Sequence, residues 1–204
     1  MPRVSRQQAE RNRETIATSA SHLFREYGLK GVSVSDVMSS AGLTHGGFYG
    51  HFESKDALAA EACARAFAHV QSAWLKMINE HPEKGDAHKV MIDHYLSAYC
   101  RDELGESCPA VAFSADVVRE DSQSVIRQTY IRGLEELIVT LSSTLALGEQ
   151  AESEQDRRQA ALIEMSLLVG AMTLARATMG TPLSDEFLGA ARKSFEIAST
   201  DLAA

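Results

Sequence analysis

The chain has 204 residues, 45% hydrophobic and 24% charged, with three cysteines. This is ordinary globular composition, long enough to bury a core without staples, which excludes disordered, fibrous and disulfide-framework classes. The net charge of −8 is uneven: residues 1–50 hold six Lys/Arg and four Asp/Glu, and residues 51–204 hold fourteen and twenty-four.

A near-neutral to basic head on an acidic body permits the head alone to meet a polyanion. No run of eighteen apolar residues occurs, so no membrane span is expected. The start, Met1-Pro2-Arg3-Val4-Ser5-Arg6, has no apolar core of a secretory leader. Three widely spaced cysteines fit a reducing cytoplasm, where the protein is expected to reside.

Helical periodicity dominates from the first element. Ile16, Ala20, Leu23, Phe24 and Tyr27 share one helix face, and Gly28 stands where a left-handed residue would end it. Ser33 with Asp36 forms a capping-box pattern before Val34, Val37, Met38 and Ala41, and Gly42 closes this second, two-turn helix. Thr44 opens a third short helix carrying Phe48, Tyr49 and Phe52. Ser54 caps a long alanine-rich helix that runs to about Asn79. The body that follows reads as helices over about 86–99, 109–118, 122–147, 156–179 and 185–200, with a polar linker at 148–155. No alternating strand pattern appears. The expected fold is all-α, about nine helices in total, with a three-helix domain over 1–55 and a larger helical domain over 56–204.

Residues 33–55, SVSDVMSSAGLTHGGFYGHFESK, carry the functional signal. Two short helices joined at Ala41-Gly42-Leu43 have the layout of a helix-turn-helix, in which the second helix presents its N-terminal residues to the major groove. Val34, Val37, Leu43, Phe48 and Phe52 would lock the pair inward, leaving Thr44, His45, Gly46, Gly47, Tyr49 and Gly50 facing outward. Gly46 and Gly47 allow close backbone approach, but each lowers helix propensity by about 1 kcal/mol relative to Ala.

This pattern resembles the TetR family of bacterial transcriptional repressors. The matching residues are Phe24, Gly28, Ser33-Val34, Val37, Ala41-Gly42-Leu43-Thr44, Gly46, Phe48-Tyr49, His51-Phe52 and Ser54-Lys55-Asp56-Ala57-Leu58. The resemblance implies that His45, Gly46, Gly47, Tyr49 and Gly50 face DNA and that Ser35 reaches a base. It places Ser33, Thr44, Tyr49, His51 and Lys55 on phosphates. Met38 and Gly47 depart from the family pattern, which usually has a small residue at the first position and Thr, Ala or Ser at the second. Arg3, Arg6, Arg11 and Arg13 read either as a DNA-reaching arm or as a solvated terminus.

One head reads one half-site, so a palindromic operator requires two. The last two helices are the candidate homodimer interface, through Ile163, Leu167, Gly170, Ala171 and Leu174 on one stripe and Phe187, Ala191 and Phe195 on the other. The same stripes could instead pack within one chain.

Candidate effector contacts are Trp74, Met91, His94, Tyr95, Tyr99 and Phe113, each also readable as plain core. Cys100 and Cys108 are candidate redox or electrophile sensors, with Cys108 at the start of the predicted 109–118 helix, where the dipole favours thiolate. Asp102, Glu103 and Glu106 oppose that thiolate, and Cys63 reads as packing. His81, His88 and His94 lack metal-ligand spacing, and no phosphate loop or nucleophile elbow is present, so neither a metal, a cofactor nor an enzyme is expected. The expected protein is a repressor that binds a palindromic operator in double-stranded DNA as a homodimer and is released by a small molecule, or by an oxidant or electrophile acting on Cys108 or Cys100. An activator of the same fold, or a helical adaptor without DNA binding, is the alternative.

Overall fold

The computed structural model describes residues 5–145 and 153–201. Among these residues no strand occurs, and ten α-helices and two 3₁₀ helices follow one another. They are α1 (Arg6–Gly31), α2 (Val34–Ser40), a 3₁₀ helix (His45–Gly50), α3 (Lys55–Glu80), α4 (Lys84–Tyr95) and α5 (Ala98–Asp102). A second 3₁₀ helix (Leu104–Glu106) precedes α6 (Pro109–Ala112), α7 (Ser114–Val117), α8 (Val125–Thr144), α9 (Glu154–Ala177) and α10 (Pro182–Asp201). The all-α class is as expected. The expected 109–118 helix is instead two single turns that meet at Phe113, whose ring is fully buried. Arg3 and most of the 148–155 linker lie outside the described residues.

Packing divides the chain into two compact units. One joins Met1–Ala68 to Leu104–Gly133, and the other joins His69–Glu103 to Leu134–Ala204. The first unit is therefore larger than the 1–55 head. Its core is built on Ile16, Ala20 and Phe24 of α1, Val37 and Met38 of α2, and Phe48, Leu58 and Phe113, all buried. The second packs α10 on α9 and α4, around Met91, Leu96, Leu168, Met172 and Leu188.

Two glycines shape the first unit. At Gly28 the backbone turns to φ 75°, ψ 165°, a conformation a side chain resists, and α1 breaks there before a last turn. The amide of Leu29 then donates to Asp116 Oδ2 at 2.9 Å, and the Lys55 ammonium donates to Leu29 O at 2.6 Å. Gly133 of α8 faces Phe67 of α3 so closely that an added Cβ would stand 2.8 Å from Phe67 Cβ and closer still to the ring. Gly133→Ala should therefore lower stability by about 1–3 kcal/mol through overpacking, even though Ala is the better helix former. Urea denaturation reads this directly, and an unchanged midpoint would show that the helices part freely.

Candidate nucleic-acid interface

Local chemistry sets the geometry of residues 33–52. Ser33 caps α2 reciprocally with Asp36: the Asp36 amide donates to Ser33 Oγ at 3.2 Å, and the Ser33 amide donates to Asp36 Oδ2 at 2.8 Å. The side-chain and backbone hydrogen bonds from Ser33 hold the Asp36 carboxyl below the ordinary carboxylate range. The cap is fully formed above the ordinary Asp pKa and is lost only as pH falls through the lower folded value. Replacing Ser33 with Ala should raise the Asp36 pKa towards its ordinary value, read by NMR titration of the carboxyl carbon. An unmoved titration would show that Ser33 does not hold it.

The end of α2 is equally explicit. Gly42 has φ 69°, its amide donates to Ser39 O at 3.0 Å, and the Leu43 amide donates to Met38 O at 2.8 Å. These paired bonds form a Schellman stop, which turns the chain sharply into the second element.

That second element is a 3₁₀ helix, tighter and less regular than the expected α-helix. Thr44 caps it without a side-chain hydrogen bond, and glycines at 46, 47 and 50 explain why α-geometry is not reached. Phe48 anchors it with no exposed surface, packing edge-on to Tyr49 at 5.2 Å and stacked on Phe52 at 5.9 Å. Around that anchor Ser33, Ser35, Thr44, His45, Gly46, Gly47, Tyr49 and Gly50 are all exposed, Tyr49 at 72%. His51 is half-buried. The two departures from the family pattern meet: Met38 Cε lies 3.7 Å from where a Gly47 Cβ would stand. The long side chain of one residue occupies space beside the absent side chain of the other.

Two cations serve the frame. Arg13 donates to His51 O and to Glu61, with its guanidinium 4.1 Å over the Phe52 ring, pinning the end of the 3₁₀ helix to α1 and α3. Arg13 is thus part of the folded head, and the expected basic arm is helical from Arg6 onward. Lys55 is half-buried and tied to Leu29 O, near the Phe24 ring. An ammonium has three N–H groups, so this bond positions Lys55 without exhausting it.

Residues 16–62 match the family described as bacterial regulatory proteins, tetR family. Over that segment the chain is similar to the TetR family. The HTH-type transcriptional repressor DhaR of Mycobacterium sp. (strain GP1) is 24% identical over 142 residues, 69% of each chain. A TetR transcriptional regulator from Chloroflexus aurantiacus superposes with a TM-score of 0.73 at 28% identity, covering 92% of this chain and 93% of its own. Reduced E. coli NemR superposes at 0.74 with 20% identity over 91% of this chain and 96% of its own, a likeness of fold. These likenesses support a DNA-binding transcriptional regulator.

The other site expectations divide. Trp74, Met91 and Tyr95 are buried in the second unit, Trp74 and Tyr95 meeting edge to face at 6.4 Å. His94 and Tyr99 are exposed, so they do not line an interior, and Phe113 belongs to the first unit. Sequence reasoning missed Gln71, whose Nε2 donates to the buried Thr140 Oγ1 at 2.6 Å while its own Oε1 is buried without a partner among the described residues. The available signal was Thr140 interrupting the apolar stripe of Leu137 and Leu141.

The cysteines also separate. Cys108 caps a four-residue helix, too short for the dipole expected of a 109–118 helix. Cys100 lies within α5 in the other unit, its Sγ 3.6 Å from His94 Nε2. Cys63 is fully buried, and burial pushes its thiol up to about 12.

Of the interface residues, Ala171, Ala191 and Phe195 are buried within the chain, in or beside the α9–α10 packing. Phe187, Leu167 and Gly170 are half-buried, whereas Ile163 and Leu174 are exposed at 60% and 47%.

Proposed function

We propose that this regulator is a cytoplasmic homodimeric repressor, with residues 1–55 binding a palindromic operator and residues 56–204 supplying dimerisation and effector response. The capped helix-turn-helix carries the reading: a buried Phe48 under an exposed His45–Tyr49 surface leaves donors for base edges and phosphates and glycines for close approach. Anisotropy of the reduced protein on DNA upstream of its own gene tests it. Tight binding whose log K falls steeply with log salt supports a DNA-bound regulator, with a slope of about −0.9 per phosphate neutralised. Reporter expression in a deletion strain separates repressor from activator, and an absence of specific binding favours the adaptor reading.

The dimer rests on α9. Ile163, Leu167, Gly170 and Leu174 recur at i, i+4, i+7 and i+11, the spacing of one helix face, and a Cβ added at Gly170 would meet nothing within 4 Å. This helix is apolar enough by length and composition to cross a membrane, yet only a third of its most apolar stretch is buried. An apolar face left outward at this scale suits a second copy of the chain. Ile163→Glu with Leu174→Glu should yield a folded monomer by analytical ultracentrifugation and weaken operator binding by at least about tenfold, as one head loses the other's linkage. A dimer that persists in this variant places the interface elsewhere.

The effector is either a small molecule held around Trp74, Met91, Tyr95 and the Gln71–Thr140 pair, or an electrophile acting at Cys100 or Cys108. The contact between Cys100 and His94 favours the second.

A further inference from the structure

We propose that Cys100 is the site at which soft carbon electrophiles of the α,β-unsaturated carbonyl class add to the protein, with His94 as the base that takes the thiol proton. The inference deepens the regulatory reading above by naming where and how a covalent effector acts.

The pair is built by the turn between α4 and α5. His94 sits in the last turn of α4, and the Leu96 amide closes that helix by donating to Ile92 O. Ser97 then caps α5, its Oγ accepting from the Cys100 amide at 3.2 Å, which fixes Cys100 one turn on. The result is Cys100 Sγ 3.6 Å from His94 Nε2, a nucleophile within reach of a base.

A cation reinforces it. Arg176 of α9 donates through Nη2 to Cys100 O at 2.5 Å and through Nε to Arg101 O at 3.2 Å, holding the backbone of the residue that carries the thiol. Other charges around the turn are Arg192 of α10, which donates to Leu96 O at 2.7 Å, the carboxylates Asp93 and Glu103, and Arg101, which pairs with both Asp102 and Asp185. Partial desolvation lowers the His94 pKa, so its imidazole is neutral and able to accept at neutral pH. Cys100 is half-buried, and His94 and Tyr99 beside it are exposed. Cys63 has the opposite environment, fully enclosed and held protonated.

The step balances without an oxidant. The Cys100 proton passes to His94 Nε2, and a sulfur electron pair forms the bond to the β-carbon. The carbon–carbon π pair moves into the enolate, whose α-carbon then takes a proton back from the imidazolium. The net change is addition of S–H across C=C. A substituent on sulfur crowds the segment whose carbonyls Arg176 holds, so the adduct acts on the tie between α5 and α9, the helix bearing the outward apolar stripe.

The test treats the reduced 204-residue chain with methyl vinyl ketone at neutral pH, timing adducts by intact mass and assigning them by peptide mapping. The first adduct is expected on Cys100, and His94→Gln should slow it about tenfold, the change one unit of thiol pKa makes. His94 is exposed, and circular dichroism verifies that this variant folds. First labelling at Cys108, or a His94→Gln rate equal to the parent's, overturns the proposal. Operator anisotropy is read separately: the adduct should lower affinity at least tenfold in the parent chain, and reagent should leave Cys100→Ser unchanged. An adduct on Cys100 with unaltered operator binding overturns its regulatory role. Because mapping requires no DNA, a chain that binds no operator fails the regulatory reading while the chemistry of Cys100 is still decided.

Discussion

Phe48→Ala should destabilise the head severely, whereas Tyr49→Ala should leave its stability intact and weaken operator binding. The two rings are neighbours in sequence and touch edge to face, but one has no exposed surface and the other is 72% exposed. Truncating a buried Phe costs about 3–5 kcal/mol, and the total stability of a domain is only about 5–15 kcal/mol. The loss falls on the residue that joins the 3₁₀ helix to Phe52 and to α2, so specific DNA binding should fall with the stability of the head. Tyr49 has little to lose from the core, and a change there should stay within about 0.5 kcal/mol of parent stability. On DNA its hydroxyl and ring are lost, at about 1–3 kcal/mol if it reads a base edge. Urea denaturation and anisotropy on each variant separate these outcomes. Equal stability losses in both would show that Tyr49 is structural. Equal binding losses with Phe48→Ala still folded would show that the 3₁₀ element needs no anchor.

The parts of this fold legible in sequence are those that short-range chemistry decides. Ser33 and Asp36 announce the start of α2 because both halves of a capping box lie three residues apart, and Gly42 announces its end because a Schellman stop needs positive φ. Gly28 is read correctly as a break in α1 for the same reason.

Residues 98–118 are less legible because long-range partners shape them. Asp116 reaches back 87 positions to the Leu29 amide, and Ser107 O accepts from Arg25 across 82. No periodicity encodes such bonds. Gly133 escapes notice for a related reason: within a helix it reads as a mild weakness, and only the Phe67 ring beside it shows that a side chain has no room. The recognition element lies between these cases. Its three glycines signal weak helicity, and the structure resolves that weakness as a 3₁₀ winding held by a single buried ring. The apolar stripes of α9 and α10 are visible in sequence, but which residues turn inward is decided by the α9–α10 packing, which takes Ala171 and leaves Ile163 outside.

Arg25→Ala should lower stability by about 2–3 kcal/mol and reduce operator affinity, although Arg25 lies outside residues 33–55. Its guanidinium is buried within the first unit, where Nε donates to Ser21 O at 3.0 Å and Nη1 to Ser107 O at 3.1 Å. Glu106 stands 3.9 Å from Nη2 and also pairs with His22 at 2.6 Å. Together with Asp116 on the Leu29 amide, these contacts grip the second half of α1 from residues 104–117. α1 is the helix on which α2 packs, so loosening the grip alters the support of the helix-turn-helix. Truncation strands the buried Ser107 carbonyl, and that desolvation sets the size of the loss. Glu106 is a third exposed and should matter less, below about 1 kcal/mol when replaced by Ala. Arg25→Lys should recover little, since a point ammonium cannot bridge Ser21 and Ser107 as the planar fork does. Urea denaturation of the two single variants and their double mutant measures the division. If Glu106→Ala costs as much as Arg25→Ala, the ion pair governs the grip; if neither moves the midpoint, residues 104–117 do not support α1.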